Sequence, residues 1–234
     1  MSNPTLLFWD SDALLQILLT SAISPLKALK ADYGIQSAVV PEVETEILSL
    51  RRFSRLSPSF RKAVSTSVIE VLDHQCYMNL LSKNIALQTD ARGTSYADIQ
   101  ATGRRYNQRV DTGEAYTYAA ALTLRQPAVS HDWSALQTLM SASLPIPYSV
   151  LRAYDLIVFA HQIGLMTEKE CDRFKKTLVQ ENEFVPRQQK AASFRDGLAV
   201  FEPRLIDATK PTVGIPPRRG GSARYSSPLF VSPT

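Results

Sequence analysis

Cysteine and histidine are scarce in this chain. Its 234 residues hold two Cys and three His, and Cys76 and Cys171 lie far apart without metal-ligand spacing. That excludes a thiolate or imidazole metal cage and reads as two reduced, buried thiols of a cytoplasmic protein. Long apolar runs are also missing. The best stretch, residues 12–23, is broken by Gln16, Thr20 and Ser21, well short of the roughly eighteen apolar residues that a membrane span needs. The first ten residues, MSNPTLLFWD, contain no base and one acid, unlike a secretory leader. There is no glycine-rich phosphate loop and no internal repeat.

What remains is an ordinary globular composition, 44% hydrophobic and 21% charged, enough to bury a substantial core. Charge is unevenly placed. Residues 185–234 hold eight Lys/Arg against three acids, giving +5, while the rest of the chain carries −1. Seven of the fourteen prolines fall in the same fifty residues. Helical periodicity ends near Phe184, so the sequence predicts a folded unit over residues 1–183 and a basic, Pro-rich, extended or disordered tail over 184–234.

Within the predicted unit, apolar runs alternate with helical patterns. Thr5–Trp9 reads as a buried strand, with a helix over Ala13–Leu19 capped by Ser11 or Asp12. A second helix runs from Ser24 to Gly34, and Ser37–Val40 is a second strand. The segment from Pro41 to Arg52 reads as a helix, and residues 57–83 as one or two more. Ile85–Leu87 is a further candidate strand. Thr112 onward starts an alanine-rich helix that ends at Arg125-Gln126-Pro127. Ala128–Ser130 and Ile146–Val150 read as strands, and residues 150–181 as a helical pair joined at Gly164. This alternation predicts an α/β fold, an α/β/α sandwich with a mostly parallel sheet and C-terminal helices.

The acids stand where such a fold puts ligands, beyond the carboxyl ends of strands. Asp10 ends the first strand, and Asp132 follows Ala128–Ser130. Asp111 and Glu114, three apart, share a face at the start of the alanine-rich helix. Glu42 and Glu46 share a face of the helix after the second strand. A bland alternative stays open: Asp111 with Glu114 is a capping-box pattern, and Asp132 is placed to cap a helix beginning at Trp133. If Asp10, Glu46, Asp111, Glu114 and Asp132 converge, their mutual repulsion calls for a hard cation, Mg²⁺ or Mn²⁺. Such an ion activates water and stabilises charge on a phosphodiester.

LLFWDSDALL resembles the opening motif of PIN-domain ribonucleases, a hydrophobic strand ending in Asp. VVPEVETEI resembles their second motif, which selects Glu46. DTGEAYTYAAAL is similar to their Gly-Glu helix, and AVSHDWSAL to their strand-[Ser/Thr]-x-Asp motif. Together the four cover about residues 5–165 in order. The resemblance implies hydrolysis of RNA dependent on Mg²⁺ or Mn²⁺ by a catalytic set of Asp10, Glu46, Glu114 and Asp132, with Asp111 as a further metal ligand and Asp12 supporting the site by hydrogen bonding. Many members are toxins of toxin–antitoxin pairs that dimerise, so RNA, an antitoxin and a second copy are the expected partners, with no membrane. The chain differs from the compact toxins in its long segment between Leu48 and Val110 and in its basic tail.

Other readings compete. The same acids serving only as caps would leave a degenerate PIN-like module that binds RNA or protein. Asp10-Ser11-Asp12 also resembles haloacid-dehalogenase-type phosphatases, but those carry Gly-Thr where this chain has Ala13-Leu14. Arg104, Arg105 and Arg109 are placed to track a nucleic-acid backbone, with Tyr106 stacking on a base, or else to form a solvated helix face. His131 is expected to be exposed or capping, pointing away from Asp132.

Overall fold

The computed structural model describes residues 5–83, 94–147 and 149–198. Five parallel strands, β1 (Thr5–Trp9), β2 (Ile35–Val39), β3 (Ile69–Val71), β4 (Ala128–Val129) and β5 (Val150–Leu151), form one sheet in the order β3-β2-β1-β4-β5. Phe8 pairs with Ala38 on one side and Ala128 on the other. Leu6, Leu7, Phe8 and Trp9 are fully buried, as a strand covered on both faces requires. Each such side chain contributes roughly 1.5–3 kcal/mol. Helices flank the sheet, giving the α/β architecture expected from the alternation. The chain steps outward from β1 to β3 and then returns to place β4 on the other side of β1. The order reverses at that point, so the β1/β4 carboxyl ends border the crevice where open parallel sheets bind ligands.

Helices α1 (Ser11–Leu19), α2 (Ile23–Tyr33), α3 (Pro41–Ser49), α4 (Ser57–Ser65) and α5 (His74–Lys83) precede residues 84–93. Gly34 closes α2 at φ 69°, the left-handed position that glycine occupies without cost. Then follow α6 (Tyr96–Tyr106), α7 (Thr112–Thr123), α8 (Trp133–Ser141), α9 (Ala153–Gln162), α10 (Glu168–Gln180), α11 (Arg187–Lys190) and α12 (Phe194–Leu198). Among the described residues no single helix is long and apolar enough to cross a membrane; α1 and α2 pass that test only as a pair bent by 107°.

The alanine-rich helix α7 is buried almost all round from Gly113 to Ala121, rather than along one stripe. It is packed between α6, α3 and β1, and Ala119, Ala120 and Ala121 have zero exposure, so small side chains allow approach from every side.

Several expected elements differ. The helical segment over residues 57–83 is interrupted by β3, where Ile69-Glu70-Val71 pairs with Ser37–Val39. Ile85–Leu87 lies outside the described residues. The segment from Thr94 to Arg109 forms α6, closed at its start by a capping box of Ser95 and Asp98. The fifth strand is Val150–Leu151, because pairing with Ala128 and Val129 fixes its register; Ile146, Pro147 and Ser149 are not in it, and Tyr148 lies outside the described residues. The third helix stops at Ser49, short of Arg52, and a 3₁₀ turn follows over Arg51–Phe53. The cap of α1 is Asp10 rather than Ser11 or Asp12.

The expected tail boundary at residue 184 is also displaced. Val185, Gln189 and Phe194 are buried, the Phe194 N–H donates to Asp172 at 2.9 Å, and the Lys175 ammonium donates to the Ala192 carbonyl. Residues 184–198 therefore pack on the body through α11 and α12, and residues 199–234 lie outside the described residues.

Candidate active site

Strand β1 hands Asp10 to the carboxyl edge of the sheet, where its N–H donates to the Val129 carbonyl at 3.0 Å. The side chain caps α1: Asp10 Oδ1 accepts from the Ser11 N–H at 2.7 Å. Beside it, the Thr117 hydroxyl of α7 donates to the Trp9 carbonyl at 3.4 Å. That contact pins α7 across the end of β1, with Glu114 one turn nearer the helix start. Glu114 is 7% exposed and Asp10 4%.

Both carboxyls are held well above the ordinary carboxylate range. Burial pushes Asp10 up to about 8, with Asp12 and Glu46 adding to the rise and the Ser11 N–H and Arg52 opposing it. Burial pushes Glu114 up to about 9, and the charges of Asp10, Asp132, Asp111 and Asp12 raise it further. All the sequence-predicted acids thus stand within electrostatic reach of this pair. Glu42 does not join them. It faces Gln100 and Tyr96 on α6, which separates it from Glu46 on the same helix.

Glu46 reaches α7 from the other side. Its Oε1 accepts from the Gly113 N–H at 3.0 Å, so it occupies the position where a capping side chain of α7 itself would sit. A Cβ on residue 113 would stand 2.6 Å from Glu46 Oε2, so any other residue would force the carboxylate to move from this position. Asp111 holds the N-cap position of α7, yet its side chain makes no capping bond. The alternative of an Asp111–Glu114 capping box is not realised, and Glu46 does that work. Asp132, by contrast, does cap α8: its Oδ1 accepts from the N–H groups of Ser134 at 2.7 Å and Ala135 at 3.2 Å. Burial raises Asp132, but the Ser134 hydroxyl and these N–H groups outweigh it and hold the carboxyl below its usual range.

Asp12 plays a different part from the hydrogen-bonding support expected of it. Its Oδ1 lies 3.0 Å from an Arg52 guanidinium nitrogen, with side chains 43% and 57% exposed. A pair that exposed is worth under about 1 kcal/mol and is readily exchanged for another anion. Arg52, also set over the Phe53 ring, had no signal in the sequence beyond its place after the Glu46 helix. The adjacency Gly113-Glu114 did hint at close approach.

Tyr106 is 1% exposed, with its hydroxyl donating to the Pro145 carbonyl, so it cannot stack on a base; Arg104, Arg105 and Arg109 remain exposed on α6 and just beyond it. His131 is half-buried against the Phe184 ring.

The donor set fits a hard divalent cation by chemistry and charge. All its members are carboxylates, and among the described residues no basic side chain forms an ion pair with Asp10 or Glu114, Arg52 being paired with Asp12. Asp155, just beyond β5, shows the contrast: it is fully buried but held by Arg152 at 2.6 Å. The backbone bonds to Asp10, Glu46 and Asp132 each engage one oxygen and leave the other to a ligand. Glu114 makes no side-chain hydrogen bond among the described residues, nor do three Asp, Glu, His or Cys side chains there already stand at the spacing of a finished cage. No protein-family model and no curated protein sequence matches this chain.

Proposed function

We propose that this chain is a PIN-like nuclease that hydrolyses RNA phosphodiesters with Mg²⁺ or Mn²⁺. What supports it is the buried pair Asp10 and Glu114 at the β1/β4 switch point, ringed by Asp12, Glu46, Asp111 and Asp132. Folding places these like charges together against their own repulsion, a cost that a functional cation offsets. Asp10, Glu46, Glu114 and Asp132 would hold the ion, with Asp111 at the exposed rim. A bound divalent ion supplies an activated water and a counter-charge for the phosphate.

The chain's own contribution is positional. Helix starts fix one oxygen of Asp10 and of Asp132, and the α7 start fixes one of Glu46, so these donors lose little freedom on binding. Burial of Asp10 and Glu114 excludes water from their inner side. The raised proton affinity of both keeps them protonated at neutral pH when no cation is bound.

A degenerate binding module is the second reading, favoured by the capping bonds of Asp10 and Asp132. Incubating the full chain with a mixed RNA pool, with and without Mg²⁺ or Mn²⁺, and mapping the cut ends separates the two. Metal-dependent cleavage that falls at least about a hundredfold in Asp10→Asn is the expected result. Undiminished cleavage in EDTA, or in that variant, rejects the mechanism.

A further inference from the structure

Asp132 is flanked in the chain by His131 and Trp133, and the His131 ring stacks on Phe184, with centroids 5.5 Å apart and planes within 9°. Phe184 is 40% and Trp133 41% exposed. Single exposed aromatics are common on protein surfaces, but here the stacked His131–Phe184 pair begins next to Asp132 in the chain, and exposed Trp133 follows that acid directly. Phe184 is also held in place. Buried Gln16 donates to its carbonyl at 3.0 Å, and the next residue, Val185, is 2% exposed. The preceding Glu183 lies within electrostatic reach of Asp12 and Arg52, which puts the weakly paired Arg52 guanidinium on the same rim. Fixed aromatic faces beside a basic group are what single-stranded nucleic acids bind, bases stacking on the rings and phosphates meeting the cation.

We infer that Phe184, backed by His131 and flanked by Trp133, is a stacking platform for an unpaired base of a single-stranded RNA whose phosphate reaches Arg52 and the acids. The base lies on the Phe184 face turned away from His131. Paired bases cannot present a face to a protruding ring, so the site takes single strands in preference to duplex. This rests on the nuclease reading for its substrate class, but its test needs no cleavage.

The full chain is titrated in EDTA with a hexaadenylate probe while tryptophan emission is followed. Trp9 is fully buried, so quenching reports on Trp133. Saturable quenching is expected, lost in Trp133→Phe. Phe184→Leu, which keeps the apolar bulk, is expected to raise Kd about tenfold, and Phe184→Tyr to restore it within about twofold. Absence of saturable quenching in the wild type overturns the platform. So do an unchanged Kd in Phe184→Leu, a hexamer duplex that binds as tightly, and a sedimentation profile showing a dimer that Phe184→Leu dissociates. Stacking without cleavage under any metal condition sinks the nuclease reading and keeps the platform; metal-dependent cleavage with binding indifferent to Phe184→Leu does the reverse.

Discussion

Asp10, Glu46 and Asp132 each spend one oxygen on backbone N–H groups, so capping and cation binding are compatible uses of one carboxylate rather than rival explanations. Sequence spacing could not separate those uses, because it reports which residues stand at a helix start and not which oxygen is engaged. The decisive residues are therefore the two acids at the α7 start. Glu114→Gln is expected to abolish cleavage, by at least about a hundredfold, and to leave the fold intact, since Glu114 caps nothing. Asp111→Asn, at an exposed side chain without a capping bond, is expected to retain much more activity; equal losses would remove the distinction drawn between them. A pH dependence follows from the same pair. Asp10 and Glu114 have folded values of about 8 and 9 against ordinary values of 3.8 and 4.5. Between about pH 4 and pH 9 the native state holds more protons than the unfolded one, so stability is full at the acid end and falls as pH rises through the folded values. Saturating Mg²⁺ or Mn²⁺ is expected to raise Tm by about 5–10 °C at pH 8.5 and by less at pH 5.5. Metal-free melting curves that strengthen with rising pH, or ignore both ions, count against the buried-pair account.

At the scale of elements, the site depends on how closely α7 can be approached. Gly113 admits the Glu46 carboxylate, and Gly103 on α6 lies where a Cβ would collide with the Tyr116 ring. Gly113→Ala is expected to push Glu46 off the helix start and lower cleavage by roughly tenfold or more. Helix propensity alone would favour the alanine by up to about 1 kcal/mol, so a protein that is active and more stable would show that Glu46 has no role there. The strand-helix rhythm that placed Asp10, Glu114 and Asp132 was legible because β1, α7 and the edge of β4 are written in local patterns. β3 was hidden because Ile69-Glu70-Val71 is three residues long and is made a strand by pairing with β2, whose residues lie 32 positions earlier in the chain. α6 was open only as a solvated helix face around Arg104 and Arg105, because its exposed side is polar and only Ile99, Gly103 and Tyr106 are buried. The acids named by motif order stand around the end of β1, while Arg52 and Phe184, placed by the 3₁₀ turn and by a non-periodic connection, carried no signal in the sequence.

At the scale of the whole molecule, the body extends further than periodicity indicated, and this changes how its basic end must be tested. Cutting near Val185 would remove the buried side chains of Gln189 and Phe194 and confuse folding with function. Ending the chain after Leu198 keeps that packing and removes residues 199–234, which carry five Lys/Arg against two acids and so +3 of the net +4. Charge of that sign, on a chain whose described surface exposes Arg52, Arg104 and Arg105, favours phosphate binding. The truncated chain is expected to bind single-stranded RNA more weakly, with a shallower salt dependence. Five cations limit the change in log–log slope to about 3.5, at roughly 0.7 per phosphate contact. An increase in cleavage on truncation would mean instead that arginines such as Arg218, Arg219 or Arg224 restrain the acids as competing counter-charges. Identical affinity, salt slope and rate would assign the basic end no part in the chemistry. Measuring affinity at several salt concentrations beside the cleavage rate separates these outcomes, because an electrostatic tether changes the slope and an occluding arginine changes the rate.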